Sequence, residues 1–176
     1  MMEDKERIDL FLEKMKVNNA PIVPVDMVGW LINQGFFVKP ASVNHHGNHT
    51  GGLFEHSLEV MKTLVGMTSE LGIKWQNSRS PYIVGMFHDL CKIDNYIYDA
   101  GWKHNPDVIL KGHAEKSIML LSQFINLTEE EIMCIKFHMG AYETSEWDQY
   151  DKAIKKYETV LWTHTADMYA SKVVGV

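Results

Sequence analysis

The sequence predicts an all-α fold, because apolar residues return at helical spacing along most of the chain, capping signals open several of those stretches, and Gly or Pro punctuates the remainder. In residues 3–17, Ile8, Leu10, Phe11, Leu12 and Met15 stand among charges until Asn18-Asn19-Ala20-Pro21 breaks the pattern, so an amphipathic helix comes first. A second, short helix is expected from Val25 to Gln34, between Pro24 and Gly35, before an apolar stretch at Phe36-Phe37-Val38 that Pro40 ends. Residues 41–52 hold three glycines and no period, which reads as a loop. From Leu53 to Leu71 a wide apolar face marks a core helix. Ser80-Pro81 has the order of an N-cap and a first-turn proline, opening a helix that carries Ile83, Val84, Met86, Phe87 and Leu90 and ends near Lys92. Aromatic and polar residues alternate over 93–111 around Ala100-Gly101, which admits a small β-hairpin. A helix from about Gly112 to Phe124 follows. Thr128-Glu129-Glu130-Glu131 is a capping box for the next, running to about Met139, and Asp148–Tyr157 and Glu158–Lys172 supply the last.

No linker composition interrupts residues 1–176, so one domain is expected, with helices and a loop over 1–50 and a helical core over 51–172. Hydrophobic residues at 45% and charged residues at 23% suit an ordinary folded globule. The net charge of −6 argues against a broad duplex nucleic-acid surface, and Lys152, Lys155 and Lys156 read as a solvated helix face. Cys91 and Cys134 lie in apolar helical patterns and imply no disulfide framework. The start, Met1-Met2-Glu3-Asp4-Lys5-Glu6-Arg7, lacks the apolar core of a signal peptide, and no apolar run has membrane-spanning length, so a cytoplasmic protein without membrane partners is expected.

Nine histidines are the unusual count, and their positions matter more than their number. His56 shares a face with Leu53, Val60 and Leu64; His88 goes with Val84 and Cys91; His113 leads Ser117, Leu120 and Phe124; His138 follows Ile135 by three residues. A single core histidine is ordinarily satisfied by a backbone partner, but four on four helices are hard to satisfy separately. Asp89 and Asp167 add carboxylates inside apolar patterns, where an unpaired charge costs several kcal/mol. A metal ion resolves both difficulties, since imidazole nitrogens and carboxylate oxygens are its ligands and its charge compensates the aspartates.

An early His, a His-Asp pair about thirty residues on and a late Asp, spread over Gly51 to Ser171, resemble the signature of the HD superfamily of metal-dependent phosphohydrolases. Phe87-His88-Asp89-Leu90-Cys91-Lys92 is similar to the family's His-Asp-Leu-Gly-Lys, with Cys91 in place of the glycine. Gly51-Gly52-Leu53-Phe54-Glu55-His56-Ser57 resembles the Gly-Gly-Leu-x-x-His-Thr/Ser of HD-type exonucleases and related phage and bacterial hydrolases. The resemblance implies an HD-domain helical bundle in which His56, His88, Asp89 and Asp167 hold one ion. Asp89 would bridge to a second ion held by His113 and His138; alternatively these two histidines surround a single ion and bind substrate phosphate. One or two divalent transition ions are implied, among Mn, Fe, Co, Ni and Zn, and the histidine-rich set argues against a purely magnesium site.

Lys92, one turn beyond His88, would offset phosphate charge, unless it is a surface lysine at a helix end. His46 matches a histidine upstream of the Gly-Gly-Leu segment in the exonuclease-like relatives, and His45, His46 and His49, on the loop before the metal helix, are expected to reach substrate, unless they are simply solvated. His164 shares a face with Asp167 as a supporting partner or a core residue. The implied activity is cleavage of a phosphoester of a nucleotide or small oligonucleotide by metal-activated water, with Asp89 and Lys92 as the catalytic pair. No Gly-x-Ser-x-Gly elbow, phosphate-binding Gly-x-x-x-x-Gly-Lys-Ser/Thr loop or Cys-x-x-Cys pair offers other machinery. Acidic charge and a single domain favour a small nucleotide, and Tyr96, Tyr98 and Trp102 either stack a base or pack as a hairpin. Two other readings stay open: a di-iron oxygenase, and a metal-stabilised sensor or interaction module without turnover.

Overall fold

The computed structural model describes residues 2–140 and 147–176. Among them the fold is mostly helical, with eight α-helices and two short antiparallel hairpins. Helix α1 (Asp4–Lys14) opens where the Glu3 amide donates to Glu6 Oε2 at 2.8 Å. It buries Phe11 edge-on against Phe36, Phe37 and Phe87, so the N-terminal helix docks on the core. It stops short of the expected residue 17. Asn18 and Asn19 take positive φ (51° and 64°), a conformation asparagine tolerates, and turn β1 (Lys16–Val17) back onto β2 (Ala20–Pro21). Helix α2 (Val25–Gln34) has the expected bounds.

Helix α3 (Gly52–Leu71) is the central element and packs on α4 (Ser80–Phe87) and α8 (Thr159–Tyr169). Two glycines permit its start. At Gly51, φ is +88° and a Cβ would fall 2.2 Å from the Arg7 guanidinium; at Gly52 it would fall 2.0 Å from the Gly47 carbonyl oxygen. Arg7, 1% exposed, fills that space and bonds Asp4, Glu55 and the Thr50 carbonyl, which ties α1 to the first turn of α3.

Ser80 is not an N-cap. Arg79 precedes the helix, and the Ser80 hydroxyl donates to Glu131 Oε1 at 2.9 Å. The cause is the buried Glu131 carboxylate on α6 (Glu129–Lys136), which needs donors and also accepts from the Thr128 amide at 2.8 Å in the expected capping box. Helix α4 also ends before Lys92. Asp89 lies between the helical and extended regions (φ −103°, ψ 18°), and a 3₁₀ turn spans Leu90–Asp94. Adjacent side chains on a regular helix diverge by about 100°. The irregularity at Asp89 lets His88 and Asp89 share one site.

The hairpin between helices is β3 (Tyr96–Tyr98) and β4 (Trp102–His104), with Tyr96 opposite His104. Helix α5 (Ala114–Leu121) starts two residues later than expected, with His113 at its boundary. Helix α7 (Trp147–Lys156) and α8 follow, and a π-helical turn, Ala170–Val174, ends the fold. No helix of the described residues is long and apolar enough to cross a membrane.

The α3–α4 contact is set by Gly85, where a Cβ would lie 2.4 Å from Met61 Cα and 2.8 Å from Met61 N. Both obstructing atoms are backbone, so the helices themselves must separate to admit a methyl. Gly85→Ala is expected to destabilise the protein by about 3 kcal/mol, the upper end of ordinary overpacking costs, despite alanine's better helix propensity. Urea unfolding measures it, and an unchanged midpoint would refute the close approach.

Candidate metal centre

Five described segments deliver the six predicted ligands. His56 comes from the second turn of α3, His88 and Asp89 from the end of α4, His113 from the start of α5, His138 from just beyond α6, and Asp167 from α8. His56, His88 and His138 are fully buried, and Asp89 is 3% exposed. His56 Nε2 lies 3.2 Å from His88 Nε2, 3.2 Å from Asp167 Oδ1 and 3.6 Å from Asp89 Oδ2. On the other carboxylate oxygen, Asp89 Oδ1, His113 Nε2 approaches to 2.9 Å and His138 Nε2 to 3.6 Å.

The far ring nitrogens decide what these contacts mean. His56 Nδ1 is 2.9 Å from the Val176 carbonyl oxygen, His88 Nδ1 is 2.9 Å from that of Gly85, and His138 Nδ1 is 2.7 Å from that of Ile135. A carbonyl only accepts, so each Nδ1 carries a proton, and a ring with no second proton turns an Nε2 lone pair inward. His56 Nε2 then faces His88 Nε2 and Asp167 as acceptor against acceptor. His138 Nε2 is buried with no hydrogen-bond partner, 3.6 Å from an Asp89 Oδ1 that His113 Nε2 also faces. Such a set requires positive charge, either protons or a cation. Buried nitrogen and oxygen acceptors turned toward one another are the donor set of a divalent ion, and the residues therefore fit one. Two groups of described residues could hold a metal: His56, His88 and Asp167, and Asp89, Cys91 and His113. The sequence offers Cys91 only as a thiol in an apolar pattern that replaces the motif's glycine, not as a ligand.

Charge is concentrated on Asp89. Burial favours its neutral form, but Lys92, His113 and His88 outweigh burial and hold the carboxyl well below the usual range. Lys92 Nζ sits 2.6 Å from Asp89 Oδ2 with its side chain 12% exposed, so it faces the site rather than bulk solvent. Burial lowers the Lys92 ammonium's pKa and Asp89 raises it by more. His113 is pushed up to about 10, again because Asp89 outweighs burial. Asp167 is held below the carboxylate range by His56, His88 and His138 against the effect of burial.

A cavity of about 260 Å³ opens onto Asp89, His113 and Asp167, and Lys92, His46 and Tyr96 line its walls. His46 is thus where a substrate contact was expected, with its ring 4.8 Å from that of His56 and its Nε2 buried without a partner. His49 is elsewhere: its Nε2 lies 2.8 Å from Glu55 Oε2, in the ion network around Arg7, and it does not line the cavity. Tyr98 and Trp102 also point to other tasks, packing on each other at 5.3 Å, with the Trp102 indole donating to Thr50 Oγ1. His45, another of the loop histidines expected to reach substrate, lies on the rim with Lys172 and Met139, which spacing alone did not single out. His164 also lines the cavity, its Nδ1 2.8 Å from the His138 carbonyl oxygen.

Burial pushes His88 down to about 3, and His46, partly solvated and near His56 and Lys92, down to about 4. Below pH 6.5 the unfolded chain binds protons that the native metal-free protein refuses, so stability falls as pH drops toward those values. His88 alone contributes about 1.4 kcal/mol per pH unit in this window. Chelator-treated protein should therefore lose at least about 2 kcal/mol between pH 6.5 and 5 by urea unfolding, with His46 adding to the share of His88. A flat profile would mean that His88 takes up its proton without unfolding.

The chain matches no protein-family model, no curated protein and no solved structure.

Proposed function

We propose that this chain is a metal-dependent phosphohydrolase of the HD type that cleaves a phosphoester of a small nucleotide. The observation that carries this reading is the convergence of inward Nε2 lone pairs and carboxylate oxygens on Asp89, with an ammonium from Lys92 between them and an open cavity. The order of these residues along the chain supports the HD assignment. His56, His88 and Asp167 would hold one ion, His113 and His138 a second, with Asp89 shared between them. Divalent ions in such a centre acidify water toward neutrality and offset charge on phosphoryl oxygens. Mn, Fe, Co, Ni or Zn suits the imidazole-rich set better than Mg.

The chain's own residues do the rest. Lys92 offers its ammonium to a phosphate oxygen while its ion pair keeps the Asp89 carboxylate ionised. Lys172 adds a second cation at the rim, and His46 and Tyr96 line the wall. At about 260 Å³ the cavity sits near the lower end of the ~300–1,000 Å³ typical of ligand pockets, which favours a mononucleotide over a polymer.

The test is elemental analysis of the purified protein, then phosphate release from nucleotides, phosphomonoesters and phosphodiesters with added Mn, Co, Ni or Mg. Turnover on a nucleotide should fall about 10²-fold or more in Lys92→Met, with metal content retained. Bound metal without release of phosphate from any substrate would overturn the proposal.

A further inference from the structure

We propose that the Cys91 thiol is the positioning residue for His113, standing in for the backbone carbonyl that orients each of the other three histidines. The inference rests on the two-ion reading of the centre. His88 and His138 each have Nδ1 beside the carbonyl three residues earlier, in the turn that precedes them. His113 opens α5 and has no preceding helical turn to supply one. Its Nδ1 lies instead 3.2 Å from Cys91 Sγ, on a different element.

The proton arrangement follows from the neighbours. His113 Nε2 faces Asp89 Oδ1 at 2.9 Å, so for that nitrogen to serve a metal the ring proton must be on Nδ1, where the sulfur accepts it. The thiol's own hydrogen is directed to the Asp89 carbonyl oxygen, 3.8 Å from Sγ. Cys91 is fully buried. Its amide donates to Ser117 Oγ at 2.9 Å, and that hydroxyl donates to the His113 carbonyl at 3.3 Å, so the backbones of the two residues are joined by one side chain. Sulfur is a weak acceptor, which makes His113 the least firmly oriented of the four histidines and the ion it serves the one most sensitive to its partner.

Zinc and cobalt titrations of wild type, Cys91→Ala and Cys91→Ser test this, with circular dichroism to verify folding. In Cys91→Ala the second equivalent should bind about 10–100-fold more weakly and the first as in wild type. Cys91→Ser should recover most of the difference, because a hydroxyl also accepts and donates. In zinc-loaded protein the His113 Nδ1 proton should exchange slowly with solvent in wild type and quickly in Cys91→Ala, read by nitrogen-15 NMR. A second equivalent that binds Cys91→Ala as tightly as wild type would overturn the proposal. So would a sulfur-to-cobalt charge-transfer band in wild type, which would make Sγ a ligand. A wild type that binds one ion overturns the proposal at its premise. One that binds none overturns the metal-centre reading as well.

Discussion

Asp89→Asn is expected to strip the protein of metal and to lower phosphate release by at least about a thousandfold, equivalent to about 4 kcal/mol of transition-state stabilisation. The size follows from how much converges on one carboxylate. Oδ1 faces His113 and His138, and Oδ2 faces His56, His88 and Lys92. An amide keeps the shape and loses the charge, turning an NH₂ toward groups that need an anion. Loss of a single oxyanion donor costs about 10²–10³-fold in other enzymes. A carboxylate shared between two ions should cost more. Folding suffers separately: Lys92 loses its ion-pair partner in a nearly buried place, and breaking such pairs costs about 3–5 kcal/mol, reduced here because the ammonium can turn to the cavity. Elemental analysis, phosphate release and urea unfolding of one preparation read all three effects. An Asp89→Asn protein with full metal and full turnover would sink the scheme.

Saturating the chelated protein with Mn, Co, Ni or Zn should raise its Tm by on the order of 10 °C. Binding at a thousandfold excess over Kd stabilises by about 4 kcal/mol, and a chain of this size gains about 2–4 °C per kcal/mol. The physical source is the opposed acceptors at His56, His88 and Asp167, which a cation converts from repulsion to coordination. Magnesium, which favours oxygen ligands and retains its waters, should give a far smaller shift. Differential scanning calorimetry measures both, and equal melting temperatures with and without transition ions would refute the centre.

Much of this architecture was legible because it depends on local signals. Val25–Gln34 lies between a proline and a glycine, and the Thr128 capping box is complete within four residues. The histidines announced themselves by occupying apolar positions. What could not be read depends on contacts distant in sequence. Ser80 looks like a cap until Glu131 arrives from another helix to take its hydroxyl. His49 looks like a substrate residue until the Arg7–Glu55 pair claims it. The β1–β2 hairpin was announced by Asn18-Asn19, but two-residue strands carry no period to detect. Cys91 was hidden for a different reason: its role depends on His113 lacking a turn before it, which only the helix boundary reveals.

The tethers of His56 also bear on folding kinetics. Its Nε2 meets a histidine 32 residues away and its Nδ1 a carbonyl 120 residues away. Closing such loops costs entropy before any coordination can repay it, so the centre is expected to assemble late, after α3 and α4 have paired. An ion bound there would stabilise contacts that such a folding transition state has not yet made. It would therefore slow unfolding while leaving the folding rate almost unchanged, acting on how long the native state lasts rather than on how quickly it is reached.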